Sequence, residues 1–438
     1  MGKTIRRDRY LEELAASMGN GFPKVITGVR RCGKSYLLRE IYKAHLLSRG
    51  VGEADILILD LDEEKNARYR DPIYLGEYVR SQCGEGGRHY VFLDEIQRVY
   101  TIVNPSLTEG RHVLAKKEDR EVVSFVDVIL GLSHEENIDL YVTGSNSRML
   151  SSDVVTQFRD KATNIKLYPL SFGEYFGYVG GSPSDALADY MRYGGMPLAV
   201  LKGNGEKESY LKGLFETTYF RDIIERNGLK KSEALDELCD LLSSMTGEFL
   251  NAEKIANTYQ SAVRRKIDRD TVERYVSFFE DAFLLQEAKR YDLKGRREIG
   301  SLKKYYFSDV GLRNARLNFA YPDEGQVLEN VVYNSLIYEG YAVNVGQFDT
   351  VEKNKAGASV RKTNEVDFYA QKGPRKYYVQ VADNIAEART RNREIHPFLK
   401  LRDPIQKVLV VNRPLRETRD ENDFTIIGAA DFLLRFIK

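Results

Sequence analysis

Cysteine is scarce in this 438-residue chain: Cys32, Cys83 and Cys239 make an odd set of 3 with no C-x-x-C spacing. That excludes a disulfide scaffold and a Cys-rich zinc site, and it suits a reducing, cytoplasmic compartment. Long apolar runs are missing too. The most apolar stretch, Val122 to Leu132, is too short to span a bilayer and carries Asp127, so no membrane segment is expected. The basic N-terminus lacks the apolar core of a secretory signal. Repeats, low-complexity tracts and long Pro/Gly linkers do not occur. Nor is one sign of charge in excess, since 66 Lys and Arg stand against 65 Asp and Glu. The molecule is therefore not a uniform polycation wrapped around nucleic acid. What is present is an ordinary globular composition, 42% hydrophobic and 30% charged, in a length that suits roughly three domains of ~150 residues.

The first third alternates short apolar runs with amphipathic stretches. Lys24–Thr27, Ile56–Leu59, Tyr90–Leu93, Leu140–Thr143 and Ile165–Tyr168 read as strands. Runs that are continuously apolar, separated by helical patterns, predict an α/β fold whose parallel sheet is covered on both faces.

Directly after the first run comes Gly28-Val29-Arg30-Arg31-Cys32-Gly33-Lys34-Ser35, a match to G-x-x-x-x-G-K-[ST] set between a strand and a helix. Backbone N–H groups of such a loop and the helix N-terminus behind it converge on phosphate oxygens. The nucleotide-binding set then runs through Gly28, Val29, Arg30, Arg31, Cys32, Gly33, Lys34, Ser35 and Tyr36. Lys34 would reach the β- and γ-phosphates of ATP, and the Ser35 hydroxyl would bind Mg²⁺. Tyr90–Leu93 ends in Asp94-Glu95. Asp94 would hold Mg²⁺ through water, and Glu95 would be the general base for the attacking water. One more strand, Ile56–Leu59, falls between the two motifs in sequence, which fits the NTPase division in which another strand lies between the loop strand and the acidic strand in the sheet. Thr143-Gly144-Ser145-Asn146 ends the next strand. Asn146 is the first candidate to orient that water and Ser145 the second, although Ser145 equally suits a helix N-cap. Arg159, with Lys161 beside it, is the candidate finger for a neighbouring copy's site in a homo-oligomer, or else a solvated surface arginine.

The strings GVRRCGKS, FLDEIQ, YVTGSNSRMLSSDVVTQFRDKA, YPLSFGEYF, YGGMP and TTYFRDII together resemble the prokaryotic AAA-like ATPases of the archaeal-type ATPase clan. In that family the C-terminal half is a domain of unknown function. The resemblance covers essentially the whole chain. It departs at Arg159-Asp160-Lys161, where relatives carry Arg-Gly-Arg, and in a polar excursion at Asn104–Arg120.

Downstream, Ala252–Thr258 and Arg269–Phe279 have a helix-turn-helix rhythm, with Asp268 as N-cap and Val272, Tyr275, Val276 and Phe279 facing inward. Arg269, Glu273 and Arg274 then point outward. The resemblance implies a winged helix here. From Lys254 to Lys304, 13 basic residues against 8 acidic ones give +5, which leaves −4 for the rest of a chain of net +1. Arg269 and Arg274 are the candidate contacts to double-stranded DNA; protein packing is the alternative use of the same module.

At the C-terminal end, Glu329 falls on an amphipathic helix, Glu365-Val366-Asp367 on a strand, and Gln380 on the next strand. This order resembles the PD-(D/E)xK nuclease fold, in which such residues bind metal and activate water. Glu329, Asp367 and Gln380 fit a degenerate site, because Ala382 stands where that pattern has lysine.

The expected organisation is a P-loop, AAA-like ATPase core over 1–178, a helical lid over 179–228, a winged helix-turn-helix over 229–302 and a restriction-endonuclease-like α/β domain over 303–438. The expected function is Mg²⁺-dependent ATP binding and hydrolysis that controls a DNA-binding C-terminal half. A slow nucleotide-gated interaction module and a metal-dependent nuclease coupled to the ATPase are the alternatives.

Overall fold

The structure is a computed structural model that describes residues 4–84, 86–116, 118–144, 161–229, 233–262, 267–320, 323–353, 358–383 and 388–438. Two compact units divide the chain. One comprises Arg6–Tyr168 with Asp281–Phe283, the other Met1–Ile5, Pro169–Glu280 and Leu284–Lys438.

In the first unit, five parallel strands form one sheet: β1 (Lys24–Gly28), β2 (Ile56–Asp60), β3 (His89–Asp94), β4 (Ile138–Gly144) and β5 (Thr163–Leu167). Their spatial order is β2-β3-β4-β1-β5, so β4 separates the loop strand from the acidic strand. All five residues of β1 are buried, as a strand covered on both faces requires. Helix α1 spans Asp8–Ser17. Helix α2 starts as an α-turn at Lys34–Tyr36, becomes π-helical at Leu37–Tyr42 and continues as α-helix at Lys43–Ser48.

Strand periodicity of two splits the sheet's side chains into two sets. Val25, Val91, Leu93, Leu140 and Val142 pack with α3 (Pro72–Gln82) and α4 (Phe125–Ser133). Local chemistry starts both helices: Asp71 caps the Ile73 and Tyr74 N–H groups ahead of Pro72, and Ser124 forms a capping box with Asp127. The alternate set carries a buried polar chain. Lys24 is ion-paired with Asp139, the Tyr141 hydroxyl donates to Asp139 at 2.9 Å, and the Tyr42 and Tyr141 hydroxyls lie 2.6 Å apart. Asp94 and Thr143 belong to this second set by parity.

The second unit is built on a nine-stranded sheet. Its labelled strands are β6 (Leu285–Asp292), β7 (Arg297–Phe307), β8 (Ala342–Lys353), β9 (Ser359–Lys372), β10 (Arg375–Ala382), β11 (Gln406–Val411) and β12 (Thr425–Gly428). They run in the order β12-β11-β10-β9-β8-β6-β7, with two-residue strands Thr418–Arg419 and Phe249–Leu250 at the edges. The β6–β7 hairpin joins the rest because Val345–Gln347 of β8 pairs in parallel with Arg290–Asp292 of β6. Among the helices of this unit are α5 (Phe172–Val179), α6 (Pro183–Tyr193), α7 (Glu233–Ser244), α8 (Ala252–Ala262), α9 (Arg269–Asp281), α10 (Val310–Arg316), α11 (Glu324–Tyr338) and α12 (Ala388–Lys400). Val331, Tyr333 and Leu336 of α11 share a core with Tyr306, Phe368 and Val379. Ile395 and Phe398 of α12 pack with Tyr378 and Leu409. The Tyr306 and Tyr333 rings stack at 4.2 Å.

One buried carboxylate explains the YGGMP string. Asp309 caps α10 through the Leu312 N–H at 3.1 Å and accepts the Gly195 N–H at 2.7 Å. Gly194 has φ 69°, and a Cβ there would stand 2.2 Å from Asp309 Oδ1, so only glycine fits. Burial pushes the Asp309 carboxyl up to about 6 despite these backbone donors. A folded-state value above the unfolded one means that the native chain binds the extra proton between about pH 4 and 6. Stability should therefore fall as pH rises through that window, by on the order of 2–3 kcal/mol from this group. Unfolding free energies of wild type and Asp309→Asn at successive pH values check this: the variant should lack that part of the slope, and equal slopes would refute it.

Candidate functional site

The loop between β1 and α2 takes its shape from three positive φ values: Gly28 at 144°, Arg31 at 64° and Gly33 at 100°. Such turns bring successive N–H groups round to one side. A Cβ on Gly28 would lie 2.0 Å from the Leu167 carbonyl oxygen, so the sheet itself demands glycine there. The Cys32 thiol points at that same carbonyl, at 3.6 Å, and is buried. Its part in the loop is thus played by its backbone. Lys34 is only 5% exposed, and its Nζ donates to the Gly28 and Val29 carbonyls, each at 3.2 Å. Tyr36 sits exposed on the first turn of α2.

Asp94, at the C-terminal end of β3, is 3% exposed. Thr143 of β4 donates its hydroxyl to the Asp94 carboxylate, and the Ser35 hydroxyl at the start of α2 helps to stabilise the charged form. Arg39 adds a guanidinium, Nε to Oδ2 at 3.4 Å. Burial pushes the Asp94 carboxyl up, while Thr143, Ser35 and Arg39 pull it back down. Arg39 also holds Asp60 at 2.7 Å, and Asp60 is the register partner of Asp94 on the neighbouring strand. Glu95 follows in the left-handed region, at φ 56°. Its N–H donates to Thr143 Oγ1 at 3.0 Å, and Gln97 donates to its carboxylate. One hydroxyl therefore ties both acids of the motif to β4.

Glycines, Lys34, Ser35, Asp94 and Glu95 announce themselves in the sequence. Arg39, Asp60, Thr143 and Gln97 carry no motif of their own. The faint signals were an aspartate ending β2 just as one ends β3, and an arginine four residues after Ser35. Ser145, Asn146 and Arg159 lie outside the described residues.

A second polar cluster lies in the sheet of the other unit. Glu329 of α11, Asp367 of β9 and Gln380 of β10 do come together: Gln380 Oε1 accepts the Asp367 N–H at 3.4 Å, and Asp367 Oδ2 accepts the Val381 N–H at 2.8 Å. Ala382, by contrast, is packed among apolar residues with Tyr378 and Phe398. The expectation that this place lacks an ammonium needs correction, because Lys304 of β7 supplies one. Its Nζ lies 2.8 Å from Glu365 and 3.3 Å from Glu329, at 5% exposure. Tyr306 OH adds a 2.6 Å bond to Glu329. Burial works against the Lys304 charge, yet Glu329, Glu365 and Asp367 outweigh it and hold the ammonium above its ordinary range. Burial and Glu329 push Asp367 the same way, well above the usual carboxylate range. A lysine arriving from a strand 63 residues before Asp367 leaves no spacing to read.

On α9, Asp268 caps the Thr271 N–H at 2.7 Å, and Val272, Val276 and Phe279 are buried. Arg269 is exposed but paired with Glu273 at 2.8 Å. Arg274 lies beside the Tyr275 ring.

These features define a P-loop α/β domain with its acidic strand one position removed from the loop strand. The family described as "AAA domain" matches residues 20–176, and a domain of unknown function (DUF8612) matches 184–323. An uncharacterized protein of Haemophilus influenzae is 30% identical over 437 residues, 98% of this chain and 99% of that one. The chain belongs to the same family as that protein. An uncharacterized protein of Methanocaldococcus jannaschii is 24% identical over 91% of this chain and 81% of its own length. Among solved structures, a Walker-type ATPase of Pyrococcus abyssi is similar at 14% identity and a TM-score of 0.45, over 72% of this chain and 96% of that one. Among the described residues, no helix is long and apolar enough to cross a membrane.

Thr143 offers a direct test of the geometry. Thr143→Val removes one hydrogen bond to a buried carboxylate, a loss of about 1–3 kcal/mol, and frees the Glu95 N–H. Unfolding midpoints should drop for Val and recover for Thr143→Ser; a loss in Ser with none in Val would show that only the methyl group matters.

Proposed function

We propose that the first unit binds ATP and hydrolyses it, and that the nucleotide state governs what the second unit binds. The observation that carries this reading is the phosphate loop itself, with its positive φ values at Gly28, Arg31 and Gly33, Lys34 folded over the loop carbonyls and Asp94 ending the acidic strand. Hydroxyl and carboxylate oxygens are the donors that Mg²⁺ prefers, so Ser35 and Asp94 would hold it. Bound there, Mg²⁺ would offset charge on the β- and γ-phosphates. Lys34 exchanges its two carbonyl partners for phosphate oxygens, which are stronger acceptors for an ammonium. Glu95 takes a proton from water as the water oxygen attacks the γ-phosphorus. The bond to the bridging oxygen then breaks, and ADP and phosphate leave. Asn146 orients that water and Arg159 completes the site of a neighbouring copy.

Double-stranded DNA is the ligand proposed for the basic segment, read as a winged helix formed by α8, α9 and the β6–β7 hairpin. With Arg269 engaged by Glu273, Arg274 is the stronger contact. Phosphate release, measured with and without duplex DNA, tests the whole reading. Wild type should hydrolyse ATP, and Lys34→Ala should lose at least ~10²-fold, as the removal of a transition-state donor does. DNA should raise the wild-type rate and lose that effect in Arg274→Ala. Equal rates in wild type and Lys34→Ala would end the hydrolysis claim, and indifference to DNA would favour the protein-interaction module.

A second reading, a metal-dependent nuclease, gains one specific observation: the Lys304 ammonium beside Glu329, Glu365 and Asp367. An ammonium so placed can stabilise charge developing on a phosphodiester. Incubation of plasmid DNA with Mg²⁺ or Mn²⁺ decides it. Cleavage that vanishes in both Lys304→Met and Asp367→Ala supports a nuclease; no cleavage by wild type leaves the cluster as an internal ion network.

A further inference from the structure

Two carboxylates end adjacent parallel strands at the phosphate loop. Asp60 and Asp94 are register partners, and neighbouring strands lie only about 4.8 Å apart. Left alone, two negative charges at this spacing and depth would repel strongly. Arg39 lies between them, 2.7 Å from Asp60 and 3.4 Å from Asp94. It is one helical turn after Ser35, so both side chains project from the same face of α2 toward the same carboxylate. The closer of the two contacts is with Asp60, which has no part in the phosphate loop or the acidic motif.

We infer that Arg39 is a resident counter-cation for this pair, which yields Asp94 to Mg²⁺ when nucleotide binds and keeps Asp60 as its anchor. The inference rests on the Mg²⁺-nucleotide reading above. Its physical content is competition. A guanidinium and a dication cannot both take the lone pairs of one buried carboxylate at full strength, so Arg39 sets how much Mg²⁺ the site needs. Asp60 decides where the displaced guanidinium goes. The arginine is a positioning residue, since its effect runs through Asp94.

The test is a Mg²⁺ titration at fixed pH, with binding of a fluorescent ADP analogue as readout. Arg39→Met should lower the half-saturating Mg²⁺ concentration about tenfold, a coupling of ordinary size between two ligands of one group. Asp60→Asn should raise it, because Arg39 then has only Asp94 to hold. Asp60→Asn should have no effect in the Arg39→Met background. Additive effects would instead indicate a general electrostatic field and overturn the anchor role. Unchanged Mg²⁺ dependence in Arg39→Met would overturn the inference while leaving nucleotide binding intact. A wild type that binds no nucleotide at any Mg²⁺ concentration removes the ATP reading and this inference together. If Arg39→Met does not fold, Arg39→Gln takes its place in the same double-variant comparison.

Discussion

A carboxylate withdrawn from water persists as an anion only where donors replace its hydration, and Asp94 is such a group. Its partners come from two elements: Ser35 and Arg39 of α2, and Thr143 of β4. Satisfying that one charge brings the start of the loop helix against the acidic strand and pins β3 to β4 at their C-terminal ends. The same hydroxyl that donates to Asp94 accepts the Glu95 N–H, so the turn after β3 is held by the bond that serves its last residue.

The chain meets the same constraint elsewhere by the same means. Lys24 and Asp139 are paired beneath the sheet with Tyr141 and Tyr42 completing the chain of donors. Lys304 sits among Glu329 and Glu365 in the other unit, with Asp367 close enough to be pushed well above its ordinary range. Arg316, 9% exposed, gathers Glu216, Asp236 and Asp240. A near-zero net charge thus hides a set of internal neutralisations, each joining elements distant in the chain. Breaking such a pair by removing one partner exposes the other to the full cost of burial, which makes each a point of specification.

The fold of the first unit could be read closely from the chain because its signals are local. Continuous apolar runs mark the five strands, and glycine, lysine and serine at fixed offsets mark the loop. That some strand separates the loop strand from the acidic strand was expected, but the one that does so is β4, while Ile56–Asp60, which falls between the two motifs in sequence, lies at the sheet edge. In the other unit, Asp268 as a cap and the stripe of Val272, Tyr275, Val276 and Phe279 were equally local; the structure has the cap and buries Val272, Val276 and Phe279, while Tyr275 is half-buried. Ala382 shows where such reading stops. Its slot was identified by spacing along one strand, whereas the ammonium that matters comes from β7, joined to that sheet through a three-residue parallel pairing of β6 and β8.

What the sequence determined by itself is the chemistry that depends on neighbours within a few residues: the loop, the acidic pair, the caps and the strand faces. A period of two or 3.6 and a fixed motif spacing suffice for these, because backbone geometry alone brings the groups together. Only the tertiary structure decided which charges meet. Arg39 finds Asp60 and Asp94, and Lys304 finds Glu329 and Glu365, through strand order and helix packing. Those depend on burial of surfaces across the whole unit, and no spacing in the chain encodes them.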